Sequence, residues 1–153
     1  MPNWCDNTLT LTLPSKKASD KLEEILKKND GFFKHYKPLP ESLYTNGWYD
    51  WCVTHWGTKW DVTIDDYASK HDGKVYSTEI YFQSAWAPPI QFYRYLEQIY
   101  GFKAEATYIE EGMEFVGSYE NLTDTSYRFE DAPQWLKDEY SEIFKEYENE
   151  TVN

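Results

Sequence analysis

Two alternating runs joined through an Asp-Gly turn constrain this chain more than any other feature. Trp60, Val62 and Ile64 share one side of the first run, and Tyr76, Thr78, Ile80 and Phe82 share one side of the second. Lys70-His71-Asp72-Gly73 stands between them. Successive side chains on a strand point to opposite faces, and an Asp-Gly pair accepts the left-handed backbone of a tight turn. The pattern therefore predicts an antiparallel hairpin. A lone hairpin is marginal in water and needs further strands or a helix over its apolar face.

The flanking sequence supplies both. Upstream, Leu9, Leu11 and Leu13 alternate with Thr8, Thr10 and Thr12 up to Pro14, which reads as a half-buried strand. Ser15 or Ser19 caps a helix to about Asn29, with Ala18, Leu22, Ile25 and Leu26 on one face and Gly31 as its stop. Downstream, Pro88-Pro89 opens a helix with Phe92, Tyr93, Leu96, Ile99 and Tyr100 inward, closed by Gly101. Phe102, Ala104, Ala106 and Tyr108 then form another alternating strand. Glu110-Glu111-Gly112 turns the chain into a strand over Glu114–Glu120, and Ser126–Phe129 is a candidate strand beside it. A final helix, capped by Asp131 with Pro133 in its first turn, carries the stripe Leu136, Tyr140, Ile143 and Tyr147.

Between the first helix and the hairpin lies an irregular stretch. Pro38, Pro40 and Asn46-Gly47 break it, with a short extended piece expected at Phe32–Tyr36. It ends in Trp48–Asp61, which holds four of the seven tryptophans, together with Cys52 and His55. A short helix around Tyr49–His55, ending at Gly57, fits that segment. With this insertion set aside, the order is strand–helix–strand–strand–helix–strand. That order predicts an α+β fold, a ferredoxin-like split βαβ sandwich with an antiparallel sheet and both helices on one face. A Trp-rich insertion, a C-terminal hairpin and an acidic C-terminal helix are added to it. Residues 1–153 are read as one domain, with a core of about 1–111 and the hairpin and acidic helix over about 112–148.

Aromatic residues make up 19% of the chain, so the core is expected to be built from rings more than aliphatic side chains. The net charge of −12 is unevenly placed: residues 1–104 carry 13 acidic and 12 basic side chains, whereas residues 105–153 carry 14 and 3. Affinity for a phosphate backbone comes from Lys and Arg releasing counterions, so this acidic end argues against nucleic acid and permits a basic protein partner or mimicry of a polyanion. Two cysteines fit a reducing compartment. The N-terminus lacks the basic and apolar regions of a secretory signal, and no apolar run nears the ~18 residues that span a bilayer. A cytosolic protein without a membrane partner is expected.

Met1-Pro2-Asn3-Trp4-Cys5-Asp6-Asn7, Trp56-Gly57-Thr58-Lys59-Trp60-Asp61 and Ser84-Ala85-Trp86-Ala87-Pro88-Pro89 occur in that order. Together they resemble the Api-like and YubB-like ferredoxin-like domain family of bacteriophages and plasmids. The resemblance implies a ferredoxin-like topology and a mobile-element origin, and hence action in the cytosol of a bacterial host. It implies no particular reaction, because fold does not determine function.

Cys52 and His55, beside Asp50, stand three apart, a spacing that on a helix would bring a thiol near a base. With Cys5 and one of His35 or His71 they would make a metal set, although nothing in their spacing demands it. Core packing suits both cysteines better. Asp61, Asp65, Asp66, Glu110 and Glu111 read as solvated surface. No Gly-rich phosphate loop, nucleophile elbow or His-Glu-x-x-His motif occurs, so no catalytic residue, metal or cofactor is expected.

Two binding surfaces are expected instead. Trp135, Glu139, Tyr140, Glu142, Glu146 and Tyr147 form an acidic, aromatic face for a host protein such as a defence or regulatory factor, with Tyr108, Tyr119 and Tyr127 as further surface rings. Alternatively, Trp51, Trp56, Trp60 and Trp86, with Asn3, Asn7, Thr58 and Lys59 as polar groups, would wall a pocket for a nucleotide-like small molecule.

Overall fold

Ten residues of unbroken inside–outside alternation place β1 (Trp4–Leu13) at the centre of the sheet. Cys5, Asn7, Leu9, Leu11 and Leu13 point to the inner face and are buried, while the intervening threonines face outward. The computed structural model describes residues 2–152, so Met1 of the first motif and Asn153 lie outside the described residues. After β1 come α1 (Lys16–Lys28), α2 (Trp48–His55), β2 (Ile64–Asp72), β3 (Val75–Ala85), α3 (Ile90–Ile99) and β4 (Lys103–Glu110). The hairpin β5 (Phe115–Glu120) and β6 (Thr123–Arg128) and the helices α4 (Gln134–Glu139) and α5 (Ser141–Val152) complete the chain. The six strands form one antiparallel sheet in the order β2-β3-β1-β4-β5-β6, and the fold is α+β.

On the inner face, Leu9, Leu11 and Leu13 meet Leu22, Ile25 and Leu26 of α1 and Phe92, Tyr93 and Leu96 of α3. Ser15 caps α1 by accepting from the Ala18 amide at 3.1 Å, a contact worth about 1 kcal/mol. The helix stops at Asn29, whose left-handed backbone (φ 52°) does the work expected of Gly31. The main core is half aliphatic, contrary to the expectation of rings: β1 and α1 contribute leucine and isoleucine. Aromatic packing is concentrated around Phe32, Phe33, Phe82 and Phe92, whose ring centres lie 4.5–6.3 Å apart.

The outer face is covered at one end only. Ile109 of β4 and Val116 of β5 pack under Phe129, Ala132, Leu136 and Phe144. The expected single C-terminal helix is broken at Tyr140, and α4 is preceded by Pro133, while Asp131 ends a short 3-10 turn. Leu136 and Phe144 are eight residues apart, about 80° out of phase on a straight helix, and both are buried. The break brings both to one cluster. Tyr140 itself is pinned to the sheet, its hydroxyl donating to Thr107 Oγ1 at 3.0 Å.

Four other expectations are corrected. Phe33–His35 forms a 3-10 turn where an extended piece was expected, and β2 begins only at Ile64, so Trp60 and Val62 precede the strand. Ile99 is 65% exposed. Tyr108 and Tyr119 are buried, not surface rings. Tyr108 lies opposite Gly117 and crosses β5 to donate to Asp124 at 2.5 Å, and Tyr119 donates to Glu97 of α3 at 2.6 Å.

Candidate functional site

The Trp-rich segment is held by contacts that its sequence motifs supply. Gly47, at φ 91°, starts α2, and Trp56 ends it with its indole nitrogen donating to the Lys37 carbonyl at 2.9 Å. Gly57 follows at φ 87°, and a Cβ there would stand 3.1 Å from the backbone nitrogens of Ile90 and Gln91. Only glycine lets the end of α2 abut the start of α3 this closely. Thr58 is buried and its hydroxyl donates to the Ala85 carbonyl at 2.8 Å, while the Trp86 amide donates to Asn3 at 2.8 Å. The three motifs therefore converge where β1 begins and β3 ends. Asn7, also buried, bonds Cys5 and Ser84 and serves the same joint.

Asp61 is the residue that shapes the segment, and reading it as solvated surface is corrected, as it is for Glu110, which is fully buried and accepts from the Met113 amide at 3.1 Å. Asp61 Oδ1 accepts from the amides of Phe32 (3.0 Å), Phe33 (2.8 Å) and Val62 (2.8 Å), and its Oδ2 from Lys34 (3.0 Å). One carboxylate thus satisfies the otherwise unpaired amides of a 3-10 turn far away in sequence and draws residues 32–34 against the core.

This arrangement leaves a cavity of about 500 Å³ beside α2. Trp48, Trp60, Tyr44, Pro38 and Leu39 line it, with buried Cys52 and Trp56 beneath and Lys34, His35 and Asp61 on its polar side. Of the residues expected to bind a small molecule, Trp56 and Trp60 line this cavity and the others do not. Trp51 stacks on His55, with ring centres 4.5 Å apart. Lys59 sits over Trp60 and Trp86, at 4.4 and 4.8 Å from the ring centres, and Asn3 lies against Gly112. Trp86 adopts φ 69°, a conformation costing a non-glycine residue about 1–2 kcal/mol and held here by the Asn3 bond and the Lys59 stack. The loop residues Lys34, His35, Pro38, Leu39 and Tyr44 carry no periodic pattern that would have marked them.

Cys52 and His55 face different surroundings. Burial, then the charge of Asp61, pushes the Cys52 thiol up to about 11, so it is protonated at neutral pH. Burial and Lys37 hold His55 below the usual imidazole range. Among the described residues, no three His, Cys, Asp or Glu side chains are grouped to hold a metal ion, and no helix is long and apolar enough to cross a membrane.

The acidic end builds a second concavity, of about 300 Å³, on the outer face of the sheet. Thr8, Thr10 and Thr107 form its floor, and Glu79, Glu105, Glu120 and Glu139 surround it with Trp135. Trp135 is 53% exposed. Of the residues expected to bind a partner, Trp135 and Glu139 line this hollow, and Glu142 and Glu146 are exposed on α5. Tyr140 and Tyr147 are half-buried and hold the helices down, Tyr147 packing edge-on against Phe129 at 5.2 Å. Compared with known protein families, curated proteins and solved structures, the chain has no match.

Proposed function

We propose that this chain is a non-enzymatic binding protein that engages a basic surface of another protein through the hollow on the outer sheet face. The observation carrying this reading is the meeting of four glutamates with a half-exposed indole over a threonine floor. Lys103, 3.2 Å from Glu105, is the one cation paired with these glutamates among the described residues. Like charges left facing one another in this way steer a basic partner and raise its association rate by roughly 10 to 10³-fold at low salt. Trp135 offers the rigid aromatic anchor on which interface energy concentrates.

The strand order β2-β3-β1-β4, with α1 after β1 and α3 after β3, supports a ferredoxin-like reading of the first four strands, and the hairpin and C-terminal helices extend it. The resemblance to the Api-like and YubB-like family supports a phage or plasmid origin. The partner is then a host defence or regulatory protein in the bacterial cytosol.

A tagged chain and its Glu105→Lys/Glu139→Lys variant, both exposed-surface changes, provide the test in a bacterial lysate. A protein retained near one-to-one by the parent, released at high salt and not retained by the variant supports the proposal. Equal retention by both overturns it.

A further inference from the structure

The cavity beside α2 lies apart from the acidic hollow and has a different chemistry. Its walls are largely aromatic: Trp48, Trp60 and Tyr44 line it, and Pro38 and Leu39 add further apolar surface. At about 500 Å³ it falls within the range of small-molecule sites. The buried indole nitrogen of Trp56 is spent on Lys37, and both oxygens of Asp61 are spent on backbone amides. These groups fix the walls and do not call for a ligand.

The polar side of the cavity is mixed in charge, with Lys34 and His35 beside the carboxylate of Asp61, whose oxygens are already engaged by backbone amides. Three basic side chains share the single carboxylate of Asp30: Lys28 at 3.3 Å, Lys34 at 3.9 Å and His35 at 2.7 Å. The hydrogen bond from His35, with Lys28 and Lys34 nearby, holds the Asp30 carboxyl below its usual range. Lys34 lines the cavity, is almost half exposed, and has its only carboxylate partner among the described residues at the edge of contact distance. Its ammonium is available to a second anion.

We propose that this cavity binds a planar aromatic molecule carrying a negatively charged group. The ring lies between the indoles of Trp48 and Trp60, and the anion meets Lys34 beside His35. Burial of a flat ring against aromatic faces provides the affinity, and the lysine sets its orientation and sign. This inference is independent of the acidic hollow.

The test uses the full chain and two probes sharing one aromatic skeleton, 8-anilinonaphthalene-1-sulfonate and uncharged N-phenyl-1-naphthylamine. Energy transfer from tryptophan to each probe is titrated. The sulfonate is expected to bind saturably at one site and severalfold more tightly than the neutral probe. Lys34→Glu weakens the sulfonate by roughly tenfold and spares the neutral probe. Trp48→Ala weakens both, and Trp86→Ala weakens neither. Because Trp48 also packs on the core, Lys34→Glu, which changes a half-exposed side chain, carries the test if Trp48→Ala does not fold. Absence of saturable binding, equal affinity for both probes, or sulfonate binding untouched by Lys34→Glu would each overturn the proposal.

Discussion

Replacing Asp61 tests the argument that one carboxylate shapes the Trp-rich segment. Asp61→Ala removes the acceptor of four backbone amides. Water replaces it readily at the exposed Lys34 amide. The amides of Phe32, Phe33 and Val62 are partly buried, and each loses a hydrogen bond worth about 1 kcal/mol net. The expected loss is therefore about 3 kcal/mol, a large part of the roughly 5–15 kcal/mol that stabilises a domain. Asp61→Asn keeps one oxygen for those three amides and turns an NH₂ toward Lys34, so it costs about 1 kcal/mol. Urea unfolding followed by tryptophan emission measures both. Because Phe32 and Phe33 are fully buried and pack on Phe92, the alanine variant should also show a red-shifted native emission as Trp56 loosens. Losses below about 0.5 kcal/mol for Asp61→Ala would refute the reasoning.

Three further outcomes follow from individual contacts. Gly117→Ala should cost about 2–3 kcal/mol in the same assay, since a Cβ there would stand 2.4 Å from the Tyr108 hydroxyl and the Thr125 carbonyl; a neutral substitution would contradict the crossing of Tyr108 over β5. Both cysteines are buried and Cys52 is pushed up to about 11, so neither should react with a thiol reagent near neutral pH until the chain is unfolded. Rapid labelling of Cys52 in the native protein would contradict its burial beneath the cavity. Burial, then Asp6, Glu146 and Glu110, raises the carboxyl of Glu111, so the folded chain holds that proton more tightly than the unfolded chain. Stability from this group is present at low pH and lost as pH rises through the raised value. Glu111→Gln should accordingly raise the melting temperature at about pH 7 and leave it unchanged at about pH 3; the reverse ordering would be incompatible with a raised carboxyl.

The regular elements were legible because local signals agreed with tertiary ones. Leu9, Leu11 and Leu13 alternate and are buried as a row, and Ser15 begins α1 as its capping chemistry suggests. Most departures involve a distant partner. Phe32–Tyr36 has strand-forming residues, yet Asp61 gathers its amides into a turn from 27–29 residues away. The same bonds draw Trp60 and Val62 away from the sheet, so their alternation precedes β2 instead of belonging to it. Tyr108 reads as a surface ring because nothing local reveals that Gly117 leaves a passage for it. Trp56 and Trp60 could be singled out by tryptophan density, whereas Lys34, His35, Pro38, Leu39 and Tyr44 enter the cavity wall only through the loop that Asp61 folds. Glu79, Glu105 and Glu120 are scattered over three strands and meet only when the sheet forms.

The most direct test of the acidic hollow as a protein-binding surface is hydroxyl-radical footprinting of the captured complex, read at each exposed tryptophan. Trp4, Trp86 and Trp135 are comparably accessible in the free chain, at 43%, 44% and 53%, so each reports on its own surface. Protection of Trp135, with Trp4 and Trp86 still oxidised at their free rates, is the expected result. Protection of Trp4 and Trp86 with Trp135 fully reactive would contradict it and move the interface to the end of the sheet where β1 begins and β3 ends.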